Sequence, residues 1–135
     1  MTTFQAVIDR YLAAYAAHDA AGCAAVYAPD AEVHSPFGQA AIGTAVIAAI
    51  HRDWFEDGET NKTMRVIRAG IDGNLGYCLV HFEADVPGDG GGQGGGMDRF
   101  RGSSLNVMQR GADGIWTITL TSLNERQEQD TDQDR

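Results

Sequence analysis

The chain has 135 residues, of which 43% are hydrophobic, and its formal net charge at pH 7 is -9. This length suits one domain with a single core, and the apolar runs are too short to span a membrane. The acidic balance argues against nucleic acid as a partner, because phosphates favour clustered lysine and arginine. The N-terminus lacks the pattern of a signal peptide, and the two cysteines have no CxxC spacing. We therefore expect a cytoplasmic protein with unpaired thiols.

The first third of the chain predicts two helices and a strand. Apolar residues recur at helical spacing over residues 4–17, which indicates an amphipathic helix. Asp19 is placed to cap a second helix over about residues 20–28, which Pro29 then ends. The segment AEVHS, residues 31–35, is interpreted as a short strand.

A third helix follows the segment GQAAIGT, residues 38–44, which is interpreted as a loop. Gly43 or Thr44 begins this helix, and its apolar residues again share one face. The segment EDG, residues 56–58, ends it.

From residue 60 onward the hydrophobic period changes from helical to alternating. Tight turns and one glycine-rich loop join four segments, which predicts an antiparallel meander. The predicted strands are residues 60–71, 75–86, 98–110 and 115–124.

Two segments are predicted to lie outside the packed structure of a single domain over residues 1–124. PGDGGGQGGG, residues 87–96, is followed by neither a Lys-Ser/Thr pair nor a helix, so a flexible link is favoured over a phosphate site. It is also a candidate flap over a pocket. The acidic tail, residues 125–135, is predicted to be disordered.

Both faces of the predicted strands are largely apolar. Cys78, Val80 and Phe82 alternate with Tyr77, Leu79 and His81, and Trp116, Ile118 and Leu120 alternate with Thr117, Thr119 and Thr121. If helices pack on one face of the sheet, the other apolar face needs a partner surface. In a short chain, a second copy of the protein is the expected partner. The sequence therefore predicts a homodimer through the outer face of the sheet.

Three segments carry a resemblance to a known family: RYLAAYAAHDAAGCAAVYAPDAEVHSPFG (10–38), IGTAVIAAI (42–50) and DGIWTI (113–118). With this order of elements, the chain resembles SnoaL-like members of the nuclear transport factor 2-like superfamily, which includes ketosteroid isomerase, scytalone dehydratase and polyketide cyclases. The resemblance covers about residues 4–124. It implies an α+β, cone-shaped fold in which a curved, mostly antiparallel sheet wraps around about three N-terminal helices, in the order α-α-β-α-β-β-β-β.

Ketosteroid isomerase allows a comparison of individual positions. Its oxyanion tyrosine falls on Tyr11, its oxyanion aspartate near Asn106, and its general-base aspartate on Ser35. Since serine is no base near neutral pH without an activating partner, true steroid isomerisation is not expected. Tyr11 and Asn106 are both neutral donors that can converge on one carbonyl or enolate oxygen.

The same resemblance implies an apolar pocket with a few polar groups and no cofactor. Its implied ligand-binding residues are Tyr15, Tyr27, Ser35, His51, Trp54, Cys78, Val80, Phe82, Met108, Thr119 and Thr121. A plainer interpretation stays open, in which the tyrosines are core residues, the threonines are ordinary strand formers and Asn106 binds a neighbouring backbone group.

Two histidines are candidates for moving protons. His34 lies beside Ser35 and can turn toward a cavity mouth as a substitute base, although strict alternation places it outside. His51 lies one residue off the apolar stripe of the third helix, where it can be a surface residue or reach Tyr27 or Tyr11. The four histidines lack the spacing of a metal site.

Two functions remain open from the sequence. One is an isomerase, cyclase or dehydratase that acts on a hydrophobic, polyketide- or steroid-like carbonyl compound, with Tyr11, Asn106 and His34 as candidate catalytic residues. The other is a non-catalytic dimeric module that binds a small apolar molecule or serves only association.

Overall fold

The computed structural model describes residues 2–36, 38–87 and 97–126. The elements are α1 (Thr2–Ala16), α2 (Ala20–Ala24), β1 (Tyr27–Ser35), β2 (Gly38–Ile42), α3 (Thr44–Glu56), β3 (Thr60–Asp72), β4 (Leu75–Pro87), β5 (Met97–Arg110) and β6 (Trp116–Glu125). The predicted α+β class and the order of its elements are confirmed, and β2 is an additional strand. Residues 88–96 and 127–135, which hold most of the predicted loop and tail, lie outside the described residues.

One curved, unclosed sheet of six strands has the order β2-β1-β6-β5-β4-β3. Strands β3 to β6 form the predicted antiparallel meander. Strand β1 pairs parallel to β6, and β2 pairs antiparallel to β1 at the edge. No helix within the described ranges is long and apolar enough to cross a membrane.

Helix α1 packs its apolar stripe on the sheet. Phe4 and Ile8 are fully buried, and the Phe4 ring meets Trp116 edge to face, with 5.0 Å between ring centroids. Gly76 on β4 allows this close approach, because a Cβ there would lie 2.7 Å from Phe4 Cζ and 2.8 Å from the backbone oxygen of Gly70. The Phe4 ring therefore lies against β4 at a position where the strand has no side chain.

The helix ends follow their predicted caps. The Asp19 carboxylate accepts a hydrogen bond of 3.0 Å from the backbone N–H of Gly22, which confirms it as the cap of α2. Gly43 precedes α3 with φ of 91°, and Gly58 follows it with φ of 93°. Glycine adopts this left-handed region without the steric penalty of a Cβ.

Helix α2 is shorter than the predicted range 20–28. Val26 and Tyr27 leave the helix because they join the sheet: the N–H of Ile118 donates to the Val26 carbonyl over 3.0 Å, and Tyr27 pairs with Ile118. Pro29 lies within β1 and does not end a helix. Strand pairing therefore overrides helix propensity after Ala24.

The prediction of a loop over residues 38–44 is wrong in its first part. Strand β2 forms a hairpin with β1, with Ala41 opposite Val33 and Ile42 opposite Glu32. Ala41 is the one buried residue of this strand, and its four neighbours in β2 are exposed. Alanine, glycine and glutamine are weak strand formers, so the residue types of this segment do not predict a strand.

Alternation on β4 is confirmed, but the prediction for β6 is wrong beyond Ile118. Consecutive register pairs skip Thr119: Val107 pairs with Leu120, and Met108 pairs with Ile118. This bulge reverses the faces of the residues that follow, so Thr121 is buried whereas Leu120 is only half-buried. The bulge thereby brings a polar hydroxyl to the inner face.

Candidate functional site

A cavity of about 580 Å³ lies between the helices and the inner face of the sheet. Its walls are mainly aliphatic and aromatic side chains from α1, α3 and every strand except β2. This volume lies within the range of small-molecule sites. The polar residues that line it are Tyr11, Tyr27, Asp57, Glu59, Lys62, Ser104, Asn106 and Thr121.

Tyr11 in this wall and His51 behind it form a buried pair. The Tyr11 hydroxyl lies 2.7 Å from His51 Nε2, and His51 Nδ1 lies 2.8 Å from the Ile47 carbonyl oxygen. A carbonyl only accepts, so Nδ1 carries the proton and the neutral ring offers Nε2 as an acceptor. Tyr11 therefore donates to His51 and presents oxygen lone pairs, not its proton, to the cavity.

Burial keeps both members of this pair uncharged at neutral pH. His51 is 1% exposed, and burial lowers its pKa to about 4, against the opposing effect of the bond to Ile47. Burial also raises the pKa of Tyr11 well above its usual value, with a smaller contribution from Tyr27. Ionising either group would place a charge in an apolar setting.

Ser104, Asn106 and Thr121 form a second polar group on the inner face of β5 and β6. Asn106 Nδ2 donates to Ser104 Oγ over 3.1 Å and also approaches the carbonyls of Ser104 and Cys78 at 3.3 and 3.4 Å. Two carbonyls can only accept, which fixes the orientation of the amide. Asn106 Oδ1 in turn accepts from Thr121 Oγ1 over 2.7 Å.

Tyr27 adjoins this network. Burial raises the pKa of the Tyr27 phenol to about 12, although a hydrogen bond with Thr121 partly offsets the rise. The proton of Ser104 has no acceptor among the hydrogen bonds assigned to the described residues, so this hydroxyl can donate into the cavity.

An ion pair, Lys62 with Glu59, occupies another part of the cavity wall. Lys62 Nζ lies 3.7 Å from Glu59 Oε1, and both side chains are largely buried. This distance allows Coulomb attraction but is too long for a good hydrogen bond, and Glu59 Oε1 is buried without one. Burial lowers the pKa of Lys62, against the opposing effect of Glu59.

The sequence profile of a family described as SnoaL-like domain matches residues 8–117. The chain belongs to this SnoaL-like family. Curated proteins give no significant match.

Solved structures agree with the SnoaL-like fold. A ketosteroid isomerase-like protein from Erwinia carotovora atroseptica superposes with a TM-score of 0.79 at 16% identity, covering 93% of this chain and 95% of that one. A protein of unknown function from Mycobacterium tuberculosis gives 0.78 at 15% identity, covering 93% and 71%. An NTF2-like protein with a cystatin-like fold from Novosphingobium aromaticivorans gives 0.73 at 19% identity, covering 90% and 79%. At these identities the likeness concerns the fold alone.

The structure of this SnoaL-like protein divides the predicted site residues into three groups. Those that line the cavity are Tyr11, Tyr27, Trp54, Phe82, Asn106 and Thr121. Those that are buried but do not line it are Tyr15, His51, Cys78, Val80 and Met108. Those that lie elsewhere are His34, Ser35 and Thr119. The ligand-binding and catalytic roles of all three groups stay predictions.

The residues placed elsewhere have local reasons for their positions. His34 is exposed and bonds to Glu32 over 2.9 Å, on the side of β1 opposite the buried Val33. Ser35 is half-buried at the end of β1. Thr119 lies in the bulge and donates to the Val107 carbonyl over 3.3 Å.

Lys62, Glu59 and Ser104 line the cavity but were not predicted from the sequence. A signal for Lys62 existed, because strict alternation places it on the same face of β3 as Met64 and the buried Val66. Lysine side chains are usually exposed to solvent, so the alternation did not lead to a prediction that Lys62 faces inward. Within the described part of the chain, no group of three or more His, Cys, Asp or Glu side chains is arranged to hold a metal ion.

Proposed function

We propose that this SnoaL-like protein binds a small, mainly apolar carbonyl compound in the cavity. The observation that carries the proposal is the composition of the wall: apolar side chains surround about 580 Å³, and a few polar groups are gathered at fixed places. Such a site gains affinity from apolar burial and orientation from its polar groups. Ser104 supports a carbonyl ligand in particular, because its hydroxyl can donate to the ligand oxygen.

Filling the cavity tests this proposal. Leu123 lines the cavity, whereas Leu75 is exposed on β4, so Leu123→Trp and Leu75→Trp are matched changes inside and outside it. We expect Leu123→Trp to weaken binding of acetylnaphthalene, a hydrophobic ketone, by about tenfold or more. Leu75→Trp should leave the Kd unchanged. Equal Kd values in both variants would refute binding in the cavity.

A second candidate is catalysis of proton transfer in the same compound, as an isomerase, cyclase or dehydratase would require. The buried Tyr11–His51 bond supports it, because Tyr11 can take a proton from a ligand while it passes its own to His51 Nε2. The low basicity of His51 limits how long the imidazole can hold that proton.

Deuterium exchange separates catalysis from binding. In heavy water, a proton-transferring site should exchange the acidic α-hydrogens of β-tetralone faster than buffer does, and Tyr11→Phe should abolish the excess. A binding module would take up the ketone and release it without added exchange. Excess exchange that persists in Tyr11→Phe would eliminate the proposed relay.

We also propose that two copies associate through the outer face of the sheet. Leu75, Tyr77 and Leu105 are each at least 40% exposed, and Leu79 and Val107 lie between them on the same face. Register places Tyr77 opposite Val107 and Leu79 opposite Leu105. A contiguous apolar face of this kind is suited to a self-complementary interface.

A further inference from the structure

Lys62 is the single lysine of the chain. The sequence has ten basic residues of the lysine and arginine types, and the other nine are arginines. Lys62 projects from β3 into the cavity wall, where its side chain is only 8% exposed. The one primary amine on a side chain of this protein therefore lies in the proposed binding site.

Aromatic rings surround the amine. Lys62 Nζ lies 4.1 Å from the centroid of the Tyr15 ring, 4.8 Å from that of Phe82 and 5.9 Å from that of Trp54. Ring faces attract a cation, and they also remove it from water. Within the described residues no hydrogen bond is assigned to Nζ, and its ion-pair partner Glu59 Oε1 lies 3.7 Å away. The N–H groups of the ammonium, or the lone pair of the free amine, are therefore available to a ligand.

The charges around the cavity favour a neutral ligand over an acid. Asp57 and Glu59 also line the cavity, so two carboxylates accompany the single ammonium in its described wall. An anionic ligand would compete with Glu59 for Lys62 and would be repelled by both acids. A neutral aldehyde or ketone meets neither obstacle.

We propose that Lys62 binds the carbonyl compound covalently, by forming an imine with an aldehyde or ketone that enters the cavity. This inference rests on the proposed function, and it names the chemical group that the ligand must carry. It also assigns Lys62 a role as nucleophile that the resemblance to ketosteroid isomerase does not include.

The step needs no redox partner. The Nζ lone pair adds to the carbonyl carbon, the C–O π bond breaks, and a proton passes from nitrogen to oxygen to give a carbinolamine. The hydroxyl then takes up a second proton, which is the one that the ammonium released to Glu59 when the free amine formed. The C–O bond breaks, the oxygen leaves as water, and the C=N double bond forms as a protonated imine. Glu59 Oε1 lies 3.7 Å from Nζ, beyond direct hydrogen-bonding distance, so Glu59 carries these protons after a small side-chain movement or through one water molecule. Each proton that it accepts is returned before water departs.

The environment of Lys62 favours both the reactive free amine and the protonated imine that it forms. Burial away from water lowers the pKa of Lys62 and so enlarges the fraction of free amine, which is the reactive form. The protonated imine is again a cation at the same nitrogen. The rings of Tyr15 and Phe82 and the Glu59 carboxylate would therefore stabilise the product as they stabilise the ammonium.

Reductive trapping with naphthaldehyde and sodium cyanoborohydride tests the proposal in the whole chain. In the unfolded chain the α-amino group should react first, because its usual pKa is about 7.7–8.0 against about 10.4 for lysine. In the folded protein at neutral pH we expect the order to reverse, with Lys62 labelled faster, as measured by peptide mass spectrometry. Preferential labelling of the α-amino group in both states would overturn the proposal.

A competitor and a variant locate the reaction. Naphthylmethanol has a similar shape but cannot form an imine, so it should slow labelling of Lys62 and leave the α-amino group unaffected. Lys62→Arg keeps the positive charge and should lose the internal label, while the α-amino group is labelled as in the unaltered protein. If this variant fails to fold, the competition on the unaltered protein decides. Binding of acetylnaphthalene without any label on Lys62 would refute the imine and leave the proposed binding function intact.

Discussion

The buried imidazole of His51 should make the stability of the protein depend on pH. His51 has a pKa of about 4 in the folded state and about 6.5 when solvated. The unfolded chain therefore takes up a proton as the pH falls through about 6.5, whereas the folded protein does not until about 4. The stability that the neutral His51 confers is fully present above the unfolded pKa and is lost between these two values.

The size of the effect follows from the difference of about 2.5 units between 6.5 and 4. At about 1.36 kcal/mol per unit, the full loss is roughly 3 kcal/mol, of which about 2 kcal/mol should be lost between pH 7 and about pH 5. This is a large share of the roughly 5–15 kcal/mol that stabilises a typical domain.

Urea unfolding followed by tryptophan fluorescence measures this loss. His51→Gln is the suitable variant, because glutamine can accept from Tyr11 and donate to the Ile47 carbonyl without titrating. We expect the free energy of unfolding to fall by about 2 kcal/mol more in the unaltered protein than in His51→Gln between pH 7 and about pH 5. His18→Gln retains His51 and should retain the full difference. The same fall in His51→Gln as in the unaltered protein would refute the reasoning.

Three further predictions concern stability and assembly. Tyr11→Phe leaves His51 Nε2 buried without a partner, so the free energy of unfolding should fall by about 1–3 kcal/mol. An unchanged urea midpoint would contradict the buried hydrogen bond between Tyr11 and His51. Asp19→Ala removes the cap of α2 and should lower stability by about 1 kcal/mol by the same assay, whereas Asp19→Asn should retain most of it. Leu105→Glu places a charge on the outer face of the sheet and should prevent association there. Sedimentation should detect dimers of the unaltered protein and monomers of the variant. An unaltered protein that is monomeric at micromolar concentration would exclude the proposed interface.

The meander was predictable from the sequence because its signals are local. Each strand of the second half alternates along its length, and tight turns connect most of them, so pairing between neighbours follows from chain order. The cap at Asp19 was predictable for the same reason, since its hydrogen bond spans three residues. Local chemistry determines these features before the rest of the fold is known.

Features that depend on distant partners were not predictable. Val26 leaves its helix because of Ile118, about ninety positions along the chain. Thr121 turns inward because of a bulge opposite β5, which strict alternation does not predict; only the family resemblance points to Thr121 as a pocket residue. The sequence allowed a contact between His51 and Tyr11. The direction of their hydrogen bond follows only from the structure, in which His51 Nδ1 lies beside the Ile47 carbonyl.

Contacts between a ligand and methyl-labelled methionines test the binding proposal most directly. Met64 lines the cavity, whereas Met108 is fully buried outside its wall, so one labelling scheme supplies both probe and control. With acetylnaphthalene bound, we expect intermolecular nuclear Overhauser effects to the Met64 methyl group and none to Met108. A bound ketone that gives no such effect at Met64 would contradict binding in the cavity.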